Sequence, residues 1–193
     1  MKTKNIGKIL LAIVICELAG MIGAIFTTPS IPTWYAGITK PTFSPPNWIF
    51  APVWTTLFAL MGIAAYLVYE KGTNKKVVKV ALGIFAIQLV LNIKWSLIFF
   101  GMHNPGYAFI EIIFLWLAIL LTIIAFFKIS KPAAYLLIPY ILWVSFASFL
   151  NFSIWQLNSQ TIKPVACTME AKLCPDGSFV GRTGPNANLL PVQ

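Results

Sequence analysis

The chain has 193 residues, of which 59% are hydrophobic and 10% are charged, and its mean hydropathy is +0.82. Soluble domains carry roughly 25% charged residues, so a soluble enzyme is excluded as the starting class. The formal net charge of +9 comes almost entirely from Lys residues between long apolar stretches, where positive charge orients membrane helices and does not indicate nucleic-acid binding. The composition therefore indicates an integral membrane protein in a lipid bilayer, with no nucleic-acid partner.

Five apolar stretches approach the length of a membrane span when each is extended to its nearest charge or helix breaker. They are Ile9–Phe26, Ile49–Tyr69, Val80–Phe100, Tyr107–Phe127 and Ala133–Leu157. At about 1.5 Å per residue each crosses roughly 30 Å of hydrocarbon. The stretches lack the two-residue alternation of barrel strands. The sequence predicts an all-α integral membrane bundle of five transmembrane helices.

The first stretch has a second interpretation as a signal peptide, because Lys2, Lys4 and Lys8 precede it. Its length, the presence of Glu17 and the lack of a small-residue cleavage site favour a retained helix.

Positive residues concentrate on alternate connections. Nine Lys residues fall on the amino terminus and on the second and fourth connections: Lys2, Lys4, Lys8, Lys71, Lys75, Lys76, Lys79, Lys128 and Lys131. The first connection carries Lys40 alone, and the third carries neither Lys nor Arg. The positive-inside rule predicts a cytoplasmic amino terminus and, after five spans, a carboxyl terminus outside.

The composition changes after Leu157, which divides the chain into a membrane domain, 1–158, and a polar, flexible tail, 159–193. Cys167 and Cys174 lie seven positions apart in this tail. If the tail is outside, a disulfide between them closes a small loop; the alternative is two unpaired thiols. No His or further Cys accompanies the pair, which argues against a zinc site.

The chain lacks the usual catalytic residue sets but is rich in aromatic residues, with seven Trp, six Tyr and fifteen Phe. An interfacial belt explains Trp48 and Trp155. Other aromatic and polar residues recur at helical spacing on three spans, and each set shares one face: Trp54 and Phe58; Gln88, Asn92, Trp95 and Phe99; Trp143, Ala147 and Leu150. These faces either surround an outward-facing aromatic cavity or are packing positions in which Gln88 and Asn92 join helices by hydrogen bonds.

The first outer connection favours the cavity. Residues 34–48 contain three prolines, which restrict the backbone, and four aromatic residues, which supply apolar surface. A solvated linker needs neither, so we expect this segment to form an outer lid loop over the helix ends.

The sequence resembles the TspO/MBR family of tryptophan-rich sensory proteins and mitochondrial translocator proteins, also called peripheral benzodiazepine receptors. The resemblance covers about residues 5–158 and follows the same order through the loop and the spans. It is carried by Trp34-Tyr35, Lys40-Pro41, Pro45-Pro46, Pro52-Val53-Trp54, Met61-Gly62, Gln88, Leu91-Asn92, Trp95, Phe99-Phe100-Gly101, Pro139-Tyr140, Trp143, Phe146-Ala147 and Leu150-Asn151.

The resemblance implies a five-helix bundle, commonly a homodimer, whose outer-half cavity binds porphyrins such as protoporphyrin IX and haem, sterols in some members, and benzodiazepine-type ligands. By position, the family's ligand-binding residues fall on Tyr35, Pro45, Trp54, Phe58, Asn92, Trp95, Trp143, Ala147 and Leu150. The family's cholesterol motif is not matched, because Phe152 and Gln156 follow Leu150 where the motif has Tyr and a basic residue; this counts against a sterol ligand.

Three functions remain open. The leading hypothesis is a membrane receptor or transporter-like protein that binds tetrapyrroles, with porphyrin or haem as ligand and no required cofactor. The alternative is a light-dependent porphyrin-degrading enzyme that uses Trp54 and Trp143. The third is a passive scaffold or solute channel. We do not expect a metal site, because His103 lies in the third connection, away from the cavity faces.

Two charges lie within predicted spans, Lys94 and Glu111. Both lie roughly 9 Å below the same surface on antiparallel neighbours, so they either form a pair or Lys94 extends alone to the interface.

Overall fold

The computed structural model describes residues 3–159, 172–173 and 179–180. The first unit, Met1–Asn158, contains all of the described helices except the last residue of the final one. Its α-helices are α1 (Thr3–Ser30), α2 (Trp34–Gly37), α3 (Phe50–Tyr69), α4 (Lys76–Ser96), α5 (Pro105–Phe127), α6 (Lys131–Tyr135) and α7 (Ile138–Ser159). A 3₁₀ turn, Asn47–Ile49, precedes α3, and a π-helical segment, Leu97–Gly101, continues α4.

The second unit, Ser159–Gln193, is described at two short strands, β1 (Lys172–Leu173) and β2 (Phe179–Val180), which pair antiparallel. Cys167 and Cys174 lie outside the described residues, so the disulfide stays a prediction.

Five described helical segments are long and apolar enough to cross a membrane: Ile6–Ser30, Asn47–Tyr69, Lys76–Gly101, Pro105–Phe127 and Lys131–Ser159. The predicted class, an all-α membrane bundle, is confirmed. Which end faces the cytoplasm stays a prediction, and "outer end" below means the end that carries the connection before Asn47.

The spans are longer than the apolar stretches alone predict, because polar residues continue the helices. Thr27 extends α1 beyond Phe26, and its hydroxyl donates to the Gly23 carbonyl 3.2 Å away, so the helix accommodates it. At the opposite end of the bundle, α4 begins at Lys76, whose long side chain can carry its charge to the interface.

The last span is interrupted near its start. Pro139 has no backbone N–H to donate to the carbonyl four residues earlier, at Tyr135. The chain makes a turn at Leu136 and Leu137 between α6 and α7. This turn determines where α7, the helix that carries Trp143, begins and in which direction it runs.

The first two spans approach each other closely at Gly62 of α3. A Cβ atom added at Gly62 would lie 2.5 Å from the Cα atom of Ile13 in α1. Only the absence of a side chain permits this helix contact. Around it lies a buried core that includes Met61, Ala64 and Tyr140.

Large apolar side chains elsewhere are exposed along the spans, among them Leu10, Leu11, Phe114, Leu121 and Leu142. In a soluble protein such a surface would be costly, whereas on membrane helices it contacts lipid.

Lys94 and Glu111 do not form the direct pair that their common depth allows. Lys94 is exposed, whereas Glu111 is only 4% exposed, and neither of its carboxyl oxygens has a hydrogen-bond partner among the described residues. The two helices are rotated so that α4 turns Lys94 outward and α5 turns Glu111 inward. The two residues therefore form no direct ion pair, and the extension of Lys94 to the interface stays a prediction.

Candidate functional site

A cavity of about 310 Å³ lies in the outer half of the bundle, which is within the range of small-molecule sites. Eight of the nine residues proposed from the sequence line it: Tyr35, Trp54, Phe58, Asn92, Trp95, Trp143, Ala147 and Leu150. The ninth, Pro45, is half-buried in the connection before α3 and is not among the lining residues. The lining residues of each long helix share one face because they recur at helical spacing on α3, α4 and α7.

The cavity walls are mainly aromatic. On α3, the rings of Trp54 and Phe58 lie 5.7 Å apart, centroid to centroid. On α4 and its π-helical extension, Trp95 and Phe99 are stacked at 5.1 Å. Trp143 of α7 meets Phe50 edge to face at 5.9 Å. These separations are typical of favourable ring pairs, so the walls are themselves packed and offer flat apolar surface to a ligand.

A buried hydrogen-bond network begins at the cavity wall. The Asn92 amide nitrogen donates to the Tyr140 hydroxyl at 2.9 Å, and that hydroxyl donates to Oε1 of Gln88 at 2.9 Å. Gln88 in turn contacts the Met61 sulfur at 3.7 Å. The network explains how three polar side chains are tolerated in a membrane bundle. Oδ1 of Asn92 has no partner among the described residues and remains available as an acceptor.

Three Trp residues line the cavity, and the indole N–H groups of two of them, Trp95 and Trp143, differ in their hydrogen bonding. Nε1 of Trp95 donates to Oδ1 of Asn151 at 3.0 Å, and Asn151 donates to the Pro105 carbonyl at 2.8 Å. Nε1 of Trp143 is buried and has no partner within the described part of the chain.

The connection above the cavity is anchored on both sides. Tyr35 is buried, and burial raises the pKa of its hydroxyl although a hydrogen bond with Ser44 opposes the shift. Nζ of Lys40 lies 4.7 Å from the Tyr35 ring centroid. Farther along, the Phe43 ring stacks on Phe149 of α7 at 5.1 Å. The Phe43 contact packs the connection against α7, while its action as a lid stays a prediction.

The first span also lines the cavity, which the sequence analysis did not foresee. Its lining residues include Glu17, Gly20 and Gly23. The Phe58 ring occupies the space where a Gly20 side chain would begin, and a Cβ at Gly23 would lie 3.0 Å from Oγ of Ser96. The small residues of α1 are therefore used for packing within the bundle. The signal in the sequence was Glu17, an acidic residue in an otherwise apolar span.

A model of the TspO/MBR family matches residues 12–156. This chain belongs to that family. The tryptophan-rich protein TspO of Chlorobaculum tepidum is 47% identical over 155 residues, or 80% of this chain and 98% of that protein. The translocator protein of Bos taurus is 40% identical over 143 residues, or 74% of this chain and 85% of that protein. The tryptophan-rich sensory protein of Cereibacter sphaeroides is 36% identical over 126 residues, 65% of this chain and 77% of that protein.

In this TspO/MBR chain His103 packs against residues near the outer end of α1 and the start of α2. Its ring stacks on Trp34 at 4.7 Å, and its Nε2 atom lies 3.5 Å from Oγ of Ser30. His103 does not line the cavity. Across residues 3–159 no three His, Cys, Asp or Glu residues come together as a metal site.

Proposed function

We propose that this TspO/MBR membrane protein is a receptor or transporter-like protein that binds tetrapyrroles, such as protoporphyrin IX and haem, in its aromatic cavity. The observation that supports this most directly is the meeting of eight predicted residues, from α2, α3, α4 and α7, around one cavity. Packing faces alone need not enclose a common space.

The lining suits a flat, apolar macrocycle. Each ring pair between ligand and wall adds about 0.5–1.5 kcal/mol beyond the burial of apolar area. Oδ1 of Asn92 can accept a hydrogen bond from a ring N–H. The cavity is incompletely enclosed because some lining residues, such as Met21, are exposed, so a ligand larger than the enclosed volume can extend beyond it.

The same proposal includes a homodimer and an amino terminus on the cytoplasmic side. The homodimer rests on the family resemblance. The orientation rests on the distribution of Lys residues over the connections.

The test is a titration of purified protein in neutral detergent with protoporphyrin IX. We expect a saturable shift of the porphyrin absorbance band together with quenching of Trp fluorescence, with about one ligand bound per chain. A change that never saturates, or that empty detergent micelles reproduce, would refute the proposal. The same sample under light and oxygen separates the degrading enzyme from the receptor: conversion of porphyrin to a new product supports the enzyme, whereas recovery of intact porphyrin supports the receptor.

A further inference from the structure

Glu17 is a carboxyl group near the middle of the membrane and faces the cavity. It lies 11 residues from Ile6 and 13 from Ser30, the ends of its span, which places it roughly 17 and 20 Å from the two surfaces. It is half-buried and lines the cavity. A carboxyl group at this depth is costly, so its presence in a cavity indicates a complementary ligand.

No other lining residue is an acid, a Lys, an Arg or a His. Among the described residues Glu17 also has no salt-bridge or hydrogen-bond partner. The described residues therefore supply no cation for it, and the charge of an ionised Glu17 remains available to a ligand.

Aromatic rings line the same cavity about one helical turn from Glu17. Gly20 lies one helical turn beyond Glu17 on the same face, and the Phe58 ring packs on Gly20. Trp54 lies beside Phe58, with ring centroids 5.7 Å apart. A carboxylate beside aromatic faces is the combination that binds organic ammonium groups, because ring faces attract cations and the carboxylate neutralises the charge.

We propose that Glu17, Phe58 and Trp54 form a second ligand site at the inner end of the cavity, which binds hydrophobic amines in their protonated form. The ammonium group donates to the Glu17 carboxylate, and the apolar body of the amine extends along the aromatic wall. This ligand class is distinct from a tetrapyrrole, because it carries a positive charge in place of acidic side groups.

The side of the cavity between α1 and α3 gives such ligands access. Met21 and Ala24 of α1, together with Ala51 and Thr55 of α3, line the cavity and are also exposed. In a membrane this opening faces lipid, where hydrophobic amines accumulate.

The experiment compares two probes with the same ring, 1-naphthylmethylamine, which is cationic at pH 7, and 1-naphthalenemethanol, which is neutral. Binding to the full chain in neutral detergent is measured by calorimetry. We expect the wild type to bind the amine at least about ten-fold more tightly than the alcohol, because a charge-assisted hydrogen bond is strong. Glu17→Gln should abolish this preference and leave alcohol binding unchanged.

Glu111→Gln is the matched control, because it also neutralises a carboxyl group within a span but lies outside the cavity lining; it should keep the preference. Glu17→Met, an apolar residue of similar length, is a second test variant if Glu17→Gln does not fold. Equal affinities for the two probes in the wild type, or a preference that survives in either Glu17 variant, overturns the proposal. Amine preference without protoporphyrin IX binding would refute the tetrapyrrole function alone.

Discussion

The side-chain amide of Asn92 donates a hydrogen bond to the Tyr140 hydroxyl over 2.9 Å, and this bond connects the cavity wall to the buried core of the bundle. The Tyr140 hydroxyl in turn donates a hydrogen bond to Oε1 of Gln88. One hydroxyl therefore satisfies two buried amides from another helix, and the geometry of the cavity wall depends on the stability of the core.

Tyr140→Phe removes both bonds and leaves two amide groups in an apolar environment. We expect the free energy of unfolding to fall by about 1–2 kcal/mol, measured as a lower thermal midpoint by circular dichroism in detergent. Tyr107→Phe is the matched control, because Tyr107 is 64% exposed and its hydroxyl has no hydrogen bond within the described chain. Equal midpoints for the two variants would contradict a stabilising network.

The sequence predicts the polar and aromatic faces of this site because helical spacing alone determines which residues of one helix lie together. It does not determine how helices rotate against each other. Glu111 and Lys94 illustrate this limit, since their depths follow from counting residues whereas their opposite orientations depend on tertiary packing. For the same reason the place of Glu17 in the cavity was missed: Glu17 is the one acidic residue of an otherwise apolar span, and a single residue does not show which helices it faces.

Gly62→Ala tests the close approach of α1 and α3. The added methyl group would lie 2.5 Å from the Cα atom of Ile13 and 2.8 Å from its backbone nitrogen, and these atoms can move only if the helices separate. We expect a loss of about 1–3 kcal/mol in unfolding free energy. Gly83→Ala in α4 provides the comparison, because its methyl group meets nothing within 4 Å and Ala favours a helix over Gly by up to about 1 kcal/mol. A stable Gly62→Ala variant would mean that the helices are farther apart than described.

Glu111→Leu tests whether the buried carboxyl group has a partner. Neither oxygen of Glu111 has one among the described residues, and a buried polar group without a hydrogen bond destabilises the folded state. A Leu side chain of similar size should therefore keep or raise the thermal midpoint. A marked fall, removed when Lys94→Met is added, would indicate that the two charges are coupled after all.

The predicted orientation is tested by reporter fusions. Alkaline phosphatase joined after Leu157 should be active, because it folds only after export, whereas a fusion after Gly72 in the second connection should be inactive. A reporter that is active only in the cytoplasm should give the opposite result at both positions. Activity of the cytoplasmic reporter after Leu157 would reverse the assigned orientation.

Trp143 and Ala147 test the tetrapyrrole cavity by two independent routes. Both line the cavity and lie one helical turn apart on α7. Trp143→Ala removes a large stacking surface and should weaken protoporphyrin IX binding by about 1–3 kcal/mol, or roughly ten-fold and more. Ala147→Phe removes no polar group and acts by filling the cavity, so binding should fall for a steric reason.

Trp48→Ala is the matched control for the loss of an indole. Trp48 is 73% exposed and does not line the cavity. Trp155 is less suitable, because it packs against Phe109 and its replacement would disturb the fold. Affinities are measured by fluorescence quenching, and circular dichroism verifies the helix content of each variant. Because both the loss of an indole and the overpacking of a cavity can destabilise the bundle, the thermal midpoint of each variant is measured beside its affinity. Wild-type affinity in these two variants would place the ligand elsewhere and leave the aromatic faces with a packing role alone.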